Sequence, residues 1–331
     1  MKLATILAAI AGLILGTAIV AYYGFGAVAE GLVAIGWGGF AVICAYHLVV
    51  MAALGIAWYV IAPKGEGNAH TYVFGRLIRD SGSEVLPLSQ IGGFIMGARA
   101  ASLFGITLSV AIATTVVDVT MEVLGQLAYT ALGLALLVQF RPDADLIYPV
   151  SIGIVIGVAG IIGFVLAQRR GAALIEKLSE RIVASWLPAN ARTHPLQQAL
   201  DAIYAHRLAL AMGFLLHLLG WIANAIEAWI ALHFMGVELS LAAVLVIESL
   251  LYAIRSVAFA VPNAVGVQEG AYVMLGALFG LPPETALALS LLKRARDLTI
   301  GVPALLVWQT IEGRALLRRR AVERETGSMS E

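Results

Sequence analysis

The sequence predicts an all-α, polytopic integral membrane protein with roughly 6–8 transmembrane helices plus re-entrant or broken helices. Three observations predict this class. Of 331 residues, 60% are apolar and only 13% are charged, whereas a typical soluble domain has about 25% charged residues. The mean hydropathy is +0.90. Several apolar runs are long enough to cross a bilayer, and several others are interrupted by proline, glycine or charge.

The uninterrupted runs predict membrane-spanning helices because about 20 apolar residues cross the hydrocarbon core. The first covers residues 3–28 and is interpreted as a retained helix, since the apolar region of a signal peptide is shorter. A cleaved signal peptide is the alternative. The remaining uninterrupted runs cover residues 37–61, 147–167 and 208–234.

Three further runs are interrupted. Residues 100–138 have a polar break at 118–122, residues 239–261 end at Pro262, and residues 285–311 contain the charged segment 293–297. Short or interrupted apolar segments in a membrane protein predict re-entrant or discontinuous helices.

Orientation follows from Lys and Arg in the connections, which are enriched on the cytoplasmic side. Residues 168–207 form a basic connector, predicted to be cytoplasmic and either an interfacial amphipathic helix or a solvated segment. The basic tail, 313–331, and the segment 62–80 are placed on the same side. The connections at 140–146 and 235–240 then face outward. Residues 1–312 are assigned to one transmembrane domain.

The chain resembles itself at an offset of 175 residues. Pro87 aligns with Pro262, the triplet Leu103-Phe104-Gly105 with Leu278-Phe279-Gly280, and Glu122 with Asp297. In each copy a polar loop rich in Pro and Gly precedes a short helix, the triplet, and a longer helix with a charge cluster. The predicted orientation makes the copies inverted, as in many transporters, where the substrate site lies between the halves.

Ionisable residues within the apolar runs are the candidate functional residues, because each costs a few kcal/mol unless paired or hydrated. Asp118, Glu122 and Gln126 share one helix face, as do His217, Asn224 and Glu227. They predict a polar cavity, with structural ion pairs as the alternative. The pairs considered are Glu248 with Arg255, and Asp118 with the 293–296 cluster.

The segment 262–270 is the sharpest local signal. Pro262 breaks a helix, and a new helix is expected to begin near Gln268 and Glu269, with its N–H groups available to an anionic headgroup. Glu269 would oppose an anion if ionised. It caps the helix, pairs with an arginine or is protonated by burial, and the sequence leaves these alternatives open.

Several classes are excluded or lack support. The apolar composition argues against a soluble enzyme and a disordered protein, and the balance of 21 basic and 21 acidic residues argues against nucleic-acid binding. No catalytic or metal motif is apparent, so no enzyme activity, metal or cofactor is predicted, and Cys44 is interpreted as a buried apolar residue. Gly92, Gly93 and Gly97 indicate tight helix packing rather than phosphate binding.

The polar segments Glu84-Val85-Leu86-Pro87, Gly97-Ala98-Arg99 and 262–270 resemble those of the lysylphosphatidylglycerol-synthase transmembrane family, a flippase-like membrane domain, over residues 5–312. The segments 116–122 and 288–297 resemble its hopanoid-associated branch, although Val119-Thr120 stands where the broad family often has an arginine. No transferase domain is present, so the synthase activity is not implied. The resemblance implies a protein of the bacterial cytoplasmic (inner) membrane that moves or hands over a lipid.

The leading hypothesis is translocation or export of a hopanoid or another amphiphilic lipid through a polar intramembrane cavity. The alternatives are a membrane-embedded enzyme that modifies lipid headgroups and a scaffold for lipid-biosynthesis enzymes. The expected partners are membrane lipids, with biosynthetic enzymes or an export partner as further candidates. Substrate binding is assigned to Arg99, Pro262, Asn263, Gly266, Gln268, Glu269, Arg294 and Arg296. Charge pairing or proton coupling is assigned to Asp118, Glu122, Glu227, Glu248, Arg255 and Asp297.

Overall fold

The computed structural model describes Tyr22 and residues 25–86, 89–143, 145–170, 194–258 and 261–328, with the side chains at several segment ends left undescribed. The first predicted span, residues 3–28, lies mostly outside these ranges, as do Pro87 and residues 171–193 of the basic connector. The described residues contain helices and no strands. The predicted all-α class is therefore confirmed.

The helices are α1 (Phe25–Ile61), α2 (Ala69–Val85), α3 (Ser89–Ser102), α4 (Leu108–Phe140), α5 (Ile147–Arg170), α6 (His194–Ala205), α7 (Arg207–Phe234), α8 (Leu241–Val257), α9 (Val267–Ala277) and α10 (Pro283–Ser328), with a 3-10 turn at Pro262–Ala264. Among the residues that the structure describes, four segments are long and apolar enough to cross a membrane: Val28–Ile61, Leu108–Phe140, Ile147–Leu166 and Arg207–Phe234. These findings describe a multi-pass membrane protein.

Local sequence explains several of these boundaries. Asn68 caps α2, its side-chain oxygen accepting a hydrogen bond from the Thr71 amide at 3.1 Å, and Thr107 and Ser240 cap α4 and α8 in the same way. The helix at Ala69–Val85 corrects the interpretation of residues 62–80 as a connecting loop. Arg76 and Arg79 lie inside this helix and are only 4% and 1% exposed.

The helix boundaries repeat at the predicted offset of 175 residues. Helices α3 and α9 end at Ser102 and Ala277, and helices α4 and α10 begin at Leu108 and Pro283. The Leu-Phe-Gly triplet lies in the intervening turn in both copies, and its glycines, Gly105 and Gly280, have φ angles of 95° and 74°. A positive φ favours glycine because it has no Cβ. The first copy is therefore α1–α4 and the second α7–α10.

Packing relates the two copies by an approximate two-fold arrangement. Helix α1 packs against α7, and the contacts of α1 with α10 are matched by those of α7 with α4. Likewise, α2 contacts α10 as α8 contacts α4. Helix α5 packs against α4 on the outside of the bundle, and none of its most apolar stretch is buried in the protein.

Two apolar clusters show that the copies run in opposite directions. One cluster joins Leu137 near the end of α4 and Leu232 near the end of α7 to Ala286 near the start of α10. The other joins Trp58 near the end of α1 to Leu210 near the start of α7. Because helix starts in one copy pack with helix ends of the other, the repeat is inverted, as the sequence predicts.

Helices α2 and α3 form an antiparallel hairpin that enters the bundle and returns. A Cβ atom added at Gly97 would lie 2.7 Å from Arg79 Cβ, and one added at Gly93 would lie 2.5 Å from the Arg79 carbonyl oxygen. The predicted tight packing at these glycines is confirmed. Helices α8 and α9 pack against each other in the second copy, and Pro262 lies in the break between them, as predicted. These are the re-entrant or broken helices of the predicted fold.

Candidate functional site

A cavity of about 330 Å³ lies between the two copies. Its wall combines side chains of α1, α2, α3, α4, α7, α8, α9 and α10. Its volume falls within the range of about 300–1,000 Å³ that is typical of small-molecule sites. Unlike most such sites, it is rich in charged side chains, so the predicted polar cavity inside an apolar shell is present.

The first copy contributes two arginines from α2. Arg76 donates from Nε to Asp80 at 2.6 Å and from Nη2 to Glu122 at 2.7 Å. Arg79 donates to Asp118 at 2.6 Å and also to Glu122. Arg76, Arg79, Asp80 and Glu122 line the cavity, whereas Asp118 lies behind it and is fully buried. The spacing of Arg76 and Arg79 places both on one face of α2, toward α4.

The second copy contributes cations from α10. Lys293 donates to Glu248 at 2.6 Å and to the Tyr272 hydroxyl at 3.0 Å, and that hydroxyl donates to the other Glu248 oxygen at 2.6 Å. Arg296 pairs with Asp297 at 2.6 Å and also contacts Glu227. Lys293, Arg296 and Asp297 line the cavity. These contacts correct both proposed pairings, because Glu248 binds Lys293 rather than Arg255, and Asp118 binds Arg79 rather than residues 293–296.

Two histidines complete the buried network. His217 on α7 lies 2.8 Å from Asp118, and His47 on α1 lies 2.8 Å from Glu227. Both rings line the cavity. Each histidine therefore connects a buried carboxylate to the cavity surface.

The two re-entrant elements meet at one edge of the cavity. Arg255, in the last turn of α8, lies 3.1 Å from both carboxylate oxygens of Glu84 in α2. Asn263 donates from Nδ2 to the Glu84 carbonyl oxygen at 2.6 Å. Asn263 and Ala264 have φ angles of 51° and 47°, an uncommon conformation for residues other than glycine. This geometry directs the break after α8 toward the end of α2.

The structure groups the predicted site residues in three ways. Gln268, Arg296, Glu122, Arg255 and Asp297 line the cavity. Asp118, Glu227 and Glu248 lie behind it, where they bind lining side chains. Arg99, Asn263, Gly266, Glu269 and Arg294 do not line the cavity, and Pro262 belongs to the short 3-10 turn. Arg99 instead binds Glu312 at 2.6 Å.

Glu269 combines two of the alternatives that the sequence leaves open. Its carboxylate accepts from the Gly266 amide at 2.7 Å, which caps α9, and pairs with Arg294 at 2.7 Å. The Ser290 hydroxyl donates to it at 3.1 Å. Helix α9 begins at Val267, one residue before the predicted start. Because these contacts are internal, the Glu269 side chain belongs to a structural junction at the start of α9, next to Gln268, which does line the cavity.

Sequence reasoning did not assign site roles to several lining residues: Arg76, Arg79, Asp80, Glu84, Trp221, Tyr252 and Lys293. Counting positive charges predicts that the segment 62–80 is a connecting loop. Asn68, a preferred N-cap, could have indicated that a helix starts there and carries both arginines inward. The aromatic pair Trp221–Tyr252, with ring centroids 4.6 Å apart, has no comparable signal because aromatic residues are common in apolar runs.

The arrangement is suited to holding a polar group inside the membrane. Among the described residues, no group of His, Cys, Asp and Glu could hold a metal ion. The lining charges are already paired, so the cavity offers fixed dipoles and ions to a headgroup without leaving a bare charge in the apolar interior.

Comparisons with known proteins give one family. The family model described as the lysylphosphatidylglycerol synthase TM region matches residues 6–304. No curated protein and no solved structure matches the chain. The matched range includes every residue that lines the cavity, all of the first copy, and the second copy as far as Ala304 in α10. The chain therefore belongs to the family of the lysylphosphatidylglycerol synthase TM region, as the polar segments of its sequence predict.

Proposed function

We propose that this protein translocates or exports an amphiphilic lipid, a hopanoid or a phospholipid, by sheltering its headgroup in the charged cavity while the apolar body stays in the bilayer. The observation that carries the proposal is the position of this cavity between two inverted copies, next to the meeting point of their re-entrant elements. Inverted repeats with broken helices are typical of transporters with a site between the halves.

The charge balance supports coupling to protons. The network of the cavity wall has five cationic side chains, Arg76, Arg79, Arg255, Lys293 and Arg296, against seven carboxylates, Asp80, Glu84, Asp118, Glu122, Glu227, Glu248 and Asp297. His47 and His217 each contact one of these carboxylates. The carboxylates of this network outnumber its cationic side chains by two, which favours proton uptake into the cavity as the proposed energy source.

The proposed setting is the bacterial inner membrane with the C-terminus in the cytoplasm. The connections at 140–146 and 235–240 lie at the same end of the bundle, because the ends of α4 and α7 share one apolar cluster. Helix α10 runs from that end to the other, where Glu312 binds Arg99. The basic tail then follows at the cytoplasmic side, which agrees with the enrichment of positive charge there.

The test is leaflet exchange of labelled phospholipid and hopanoid in proteoliposomes, with two matched variants. Glu122 and Glu312 are 18% and 20% exposed and each binds arginine, but only Glu122 lines the cavity. Glu122→Gln should slow exchange at least about tenfold, the effect of about 1.4 kcal/mol at a barrier. Glu312→Gln should leave exchange within about twofold of the unmodified protein.

Equal rates for the two variants would contradict the proposal, as would exchange no faster than in protein-free vesicles across an imposed proton gradient of either direction. The thermal midpoint of each variant in detergent shows whether the chain is folded. If hopanoid and phospholipid exchange equally, the hopanoid assignment is wrong and the translocator assignment stands.

A further inference from the structure

In three polar side chains of the cavity wall, the N–H donor is bound to the protein and another polar atom of the same side chain is an acceptor. His217, Asn224 and Gln126 line the cavity, and each has its N–H donor bound to the protein. His217 and Asn224 are seven residues apart on α7, which places them on one helix face. Gln126 stands on the neighbouring helix α4.

The hydrogen-bond partners fix which atom of each side chain is free for a ligand. Asn224 Nδ2 donates to the Gly220 carbonyl oxygen at 3.0 Å, and Gln126 Nε2 donates to the Tyr252 carbonyl oxygen at 3.1 Å. A carbonyl oxygen only accepts, so each amide nitrogen must face it. The side-chain oxygens of Asn224 and Gln126 are therefore the atoms left to accept from a ligand.

The same argument applies to His217, which is 1% exposed. Its Nε2 lies 2.8 Å from Asp118, whose carboxylate also binds Arg79 and is thereby held as an anion that accepts the Nε2 proton. In the neutral ring, Nδ1 then lacks a proton and acts as an acceptor. Nδ1 has no hydrogen-bond partner among the residues that the structure describes. A buried polar atom without a partner in a cavity wall indicates a ligand contact.

We propose that His217 Nδ1, Asn224 Oδ1 and Gln126 Oε1 form an acceptor subsite that selects headgroups carrying hydrogen-bond donors. The shared chemistry is an O–H or N–H group, supplied by the hydroxyls of a polyol headgroup or by a primary ammonium. The Trp221 N–H donates to the Glu122 carbonyl oxygen at 3.2 Å and is therefore not available to a ligand. Its indole ring adds an apolar wall beside this subsite. This inference rests on the proposed function and names the headgroup chemistry of the same cavity.

The subsite distinguishes headgroups by whether they can pair its three acceptor atoms. A headgroup without donors would leave the three acceptors unpaired and displaced from water, which costs more than a hydrogen bond gains. A site built to hydrogen-bond a group of its ligand rejects an analogue that lacks it. The excess of carboxylates in the surrounding network acts in the same direction, since it favours the positive end of a donor dipole.

Binding is measured by thermal stabilisation of the detergent-solubilised protein with two matched pairs of lyso-lipids, so that the test does not require transport. Lysophosphatidylethanolamine and lysophosphatidylcholine share a phosphate and a positive nitrogen, but only the former has N–H donors. Lysophosphatidylglycerol and lysophosphatidylmethanol share an anionic phosphate, but only the former has free hydroxyls.

In at least one pair, the donor-bearing lipid should bind about tenfold more tightly. The pair that discriminates identifies ammonium or hydroxyl as the source of the donors. Equal binding within both pairs would overturn the inference, whatever the outcome of the leaflet-exchange assay. Conversely, discrimination without exchange would support the subsite and contradict translocation.

Two substitutions at Asn224 distinguish the effect of its acceptor atom from the effect of its side-chain shape. Asn224→Leu should reduce the discrimination to within about twofold, while Asn224→Asp, which keeps an acceptor, should retain it. Glu312→Gln serves as the control outside the cavity and should bind all four lipids as the unmodified protein does. Retained discrimination in Asn224→Leu, with normal stability, would remove Asn224 from the subsite.

Discussion

The two copies of the repeat place opposite charges at one pair of equivalent positions, Asp118 and Lys293. In the first copy, the hairpin helix α2 carries Arg79 and the long helix α4 carries its partner Asp118. In the second copy, the hairpin helix α8 carries Glu248 and the long helix α10 carries Lys293. Asp118 and Lys293 are separated by the repeat offset of 175 residues. Each copy thus pairs its hairpin helix with its long helix through a buried ion pair, and the sign of the charge on the long helix is reversed.

This reversal shows that equivalent positions of the inverted repeat need not share residue identity. A buried charge needs a partner, and either sign at a given position satisfies that requirement. The backbone boundaries must match because helix length and turns set the packing, and they do match at α3 with α9 and at α4 with α10. What the two copies share is therefore geometry and charge compensation.

The two copies also differ in how many partners each buried charge has. If Asp118 is neutralised, Arg79 keeps Glu122 and Asp80. If Glu248 is neutralised, Lys293 keeps only the Tyr272 hydroxyl among its described hydrogen-bond partners. We therefore expect Glu248→Gln to lower the free energy of unfolding by about 3–5 kcal/mol, the cost of an uncompensated buried charge, and Asp118→Asn to lower it by less.

Equilibrium unfolding in mixed micelles with increasing SDS measures both values. A second variant, Glu248→Gln with Lys293→Met, should recover part of the loss because no lone buried cation remains. A larger effect of Asp118→Asn than of Glu248→Gln would show that the redundancy of the first copy is not energetically useful.

Gly93 in α3 and Gly276 in α9 also differ in how close the neighbouring backbone lies. A Cβ atom at Gly93 in α3 would collide with the Ser83 side chain and lie 2.5 Å from the Arg79 carbonyl oxygen, whereas one at Gly276 in α9 would lie 3.0 Å from a methyl group of Leu281. Backbone cannot move aside as a leucine side chain can. Gly93→Ala should therefore destabilise the protein by about 1–3 kcal/mol, and Gly276→Ala by clearly less in the same SDS titration.

Equal effects of the two alanine substitutions would contradict the close α2–α3 approach. Because α2 carries Arg76 and Arg79 into the cavity wall, Gly93→Ala should also slow lipid exchange, and Gly276→Ala should not.

The contact between the re-entrant elements depends on one side chain. Asn263 adopts φ 51° and donates to the Glu84 carbonyl oxygen at 2.6 Å. Asn263→Gly keeps the backbone conformation accessible but removes this bond, and should lower the unfolding free energy by about 1 kcal/mol. Asn263→Ala also makes the left-handed conformation unfavourable and should lower it by about 1–2 kcal/mol more.

The difference between these two variants separates backbone strain from the lost hydrogen bond. A smaller loss for alanine than for glycine would contradict the left-handed geometry at this position. A loss near zero for both would mean that the Glu84 contact does not hold the two re-entrant elements together.

Sequence patterns predicted the fold better than the site. Apolar length, the break at Pro262 and the offset of the Leu-Phe-Gly triplet depend on local chemistry, and the structure agrees with each of them. Ion-pair partners depend on which helices are neighbours, so the pairing of Asp118 with Arg79 could not be obtained from spacing along one helix. The sequence assigns Arg99 and Glu269 to the site because they are polar residues within apolar sequence. That signal does not distinguish a cavity wall from a structural pair elsewhere.

Arg99, which pairs with Glu312, has no charged counterpart in the second copy, since the residue 175 positions after it is the exposed Met274. Replacing Arg99 with methionine makes the first copy like the second at this position. The pair is partly exposed, with side chains 19% and 20% accessible, and ion pairs of this kind contribute only about 0–1 kcal/mol.

We therefore expect Arg99→Met to change the unfolding free energy by less than about 1 kcal/mol and to leave the selectivity among the four lyso-lipids unchanged. A tenfold loss of lipid exchange or binding in Arg99→Met, with normal stability, would return Arg99 to the substrate path that the sequence first assigned to it. Because Arg99 lies near the end of α3 and binds α10 away from the cavity, such a result would require lipid to pass along that outer surface before it reaches the charged interior.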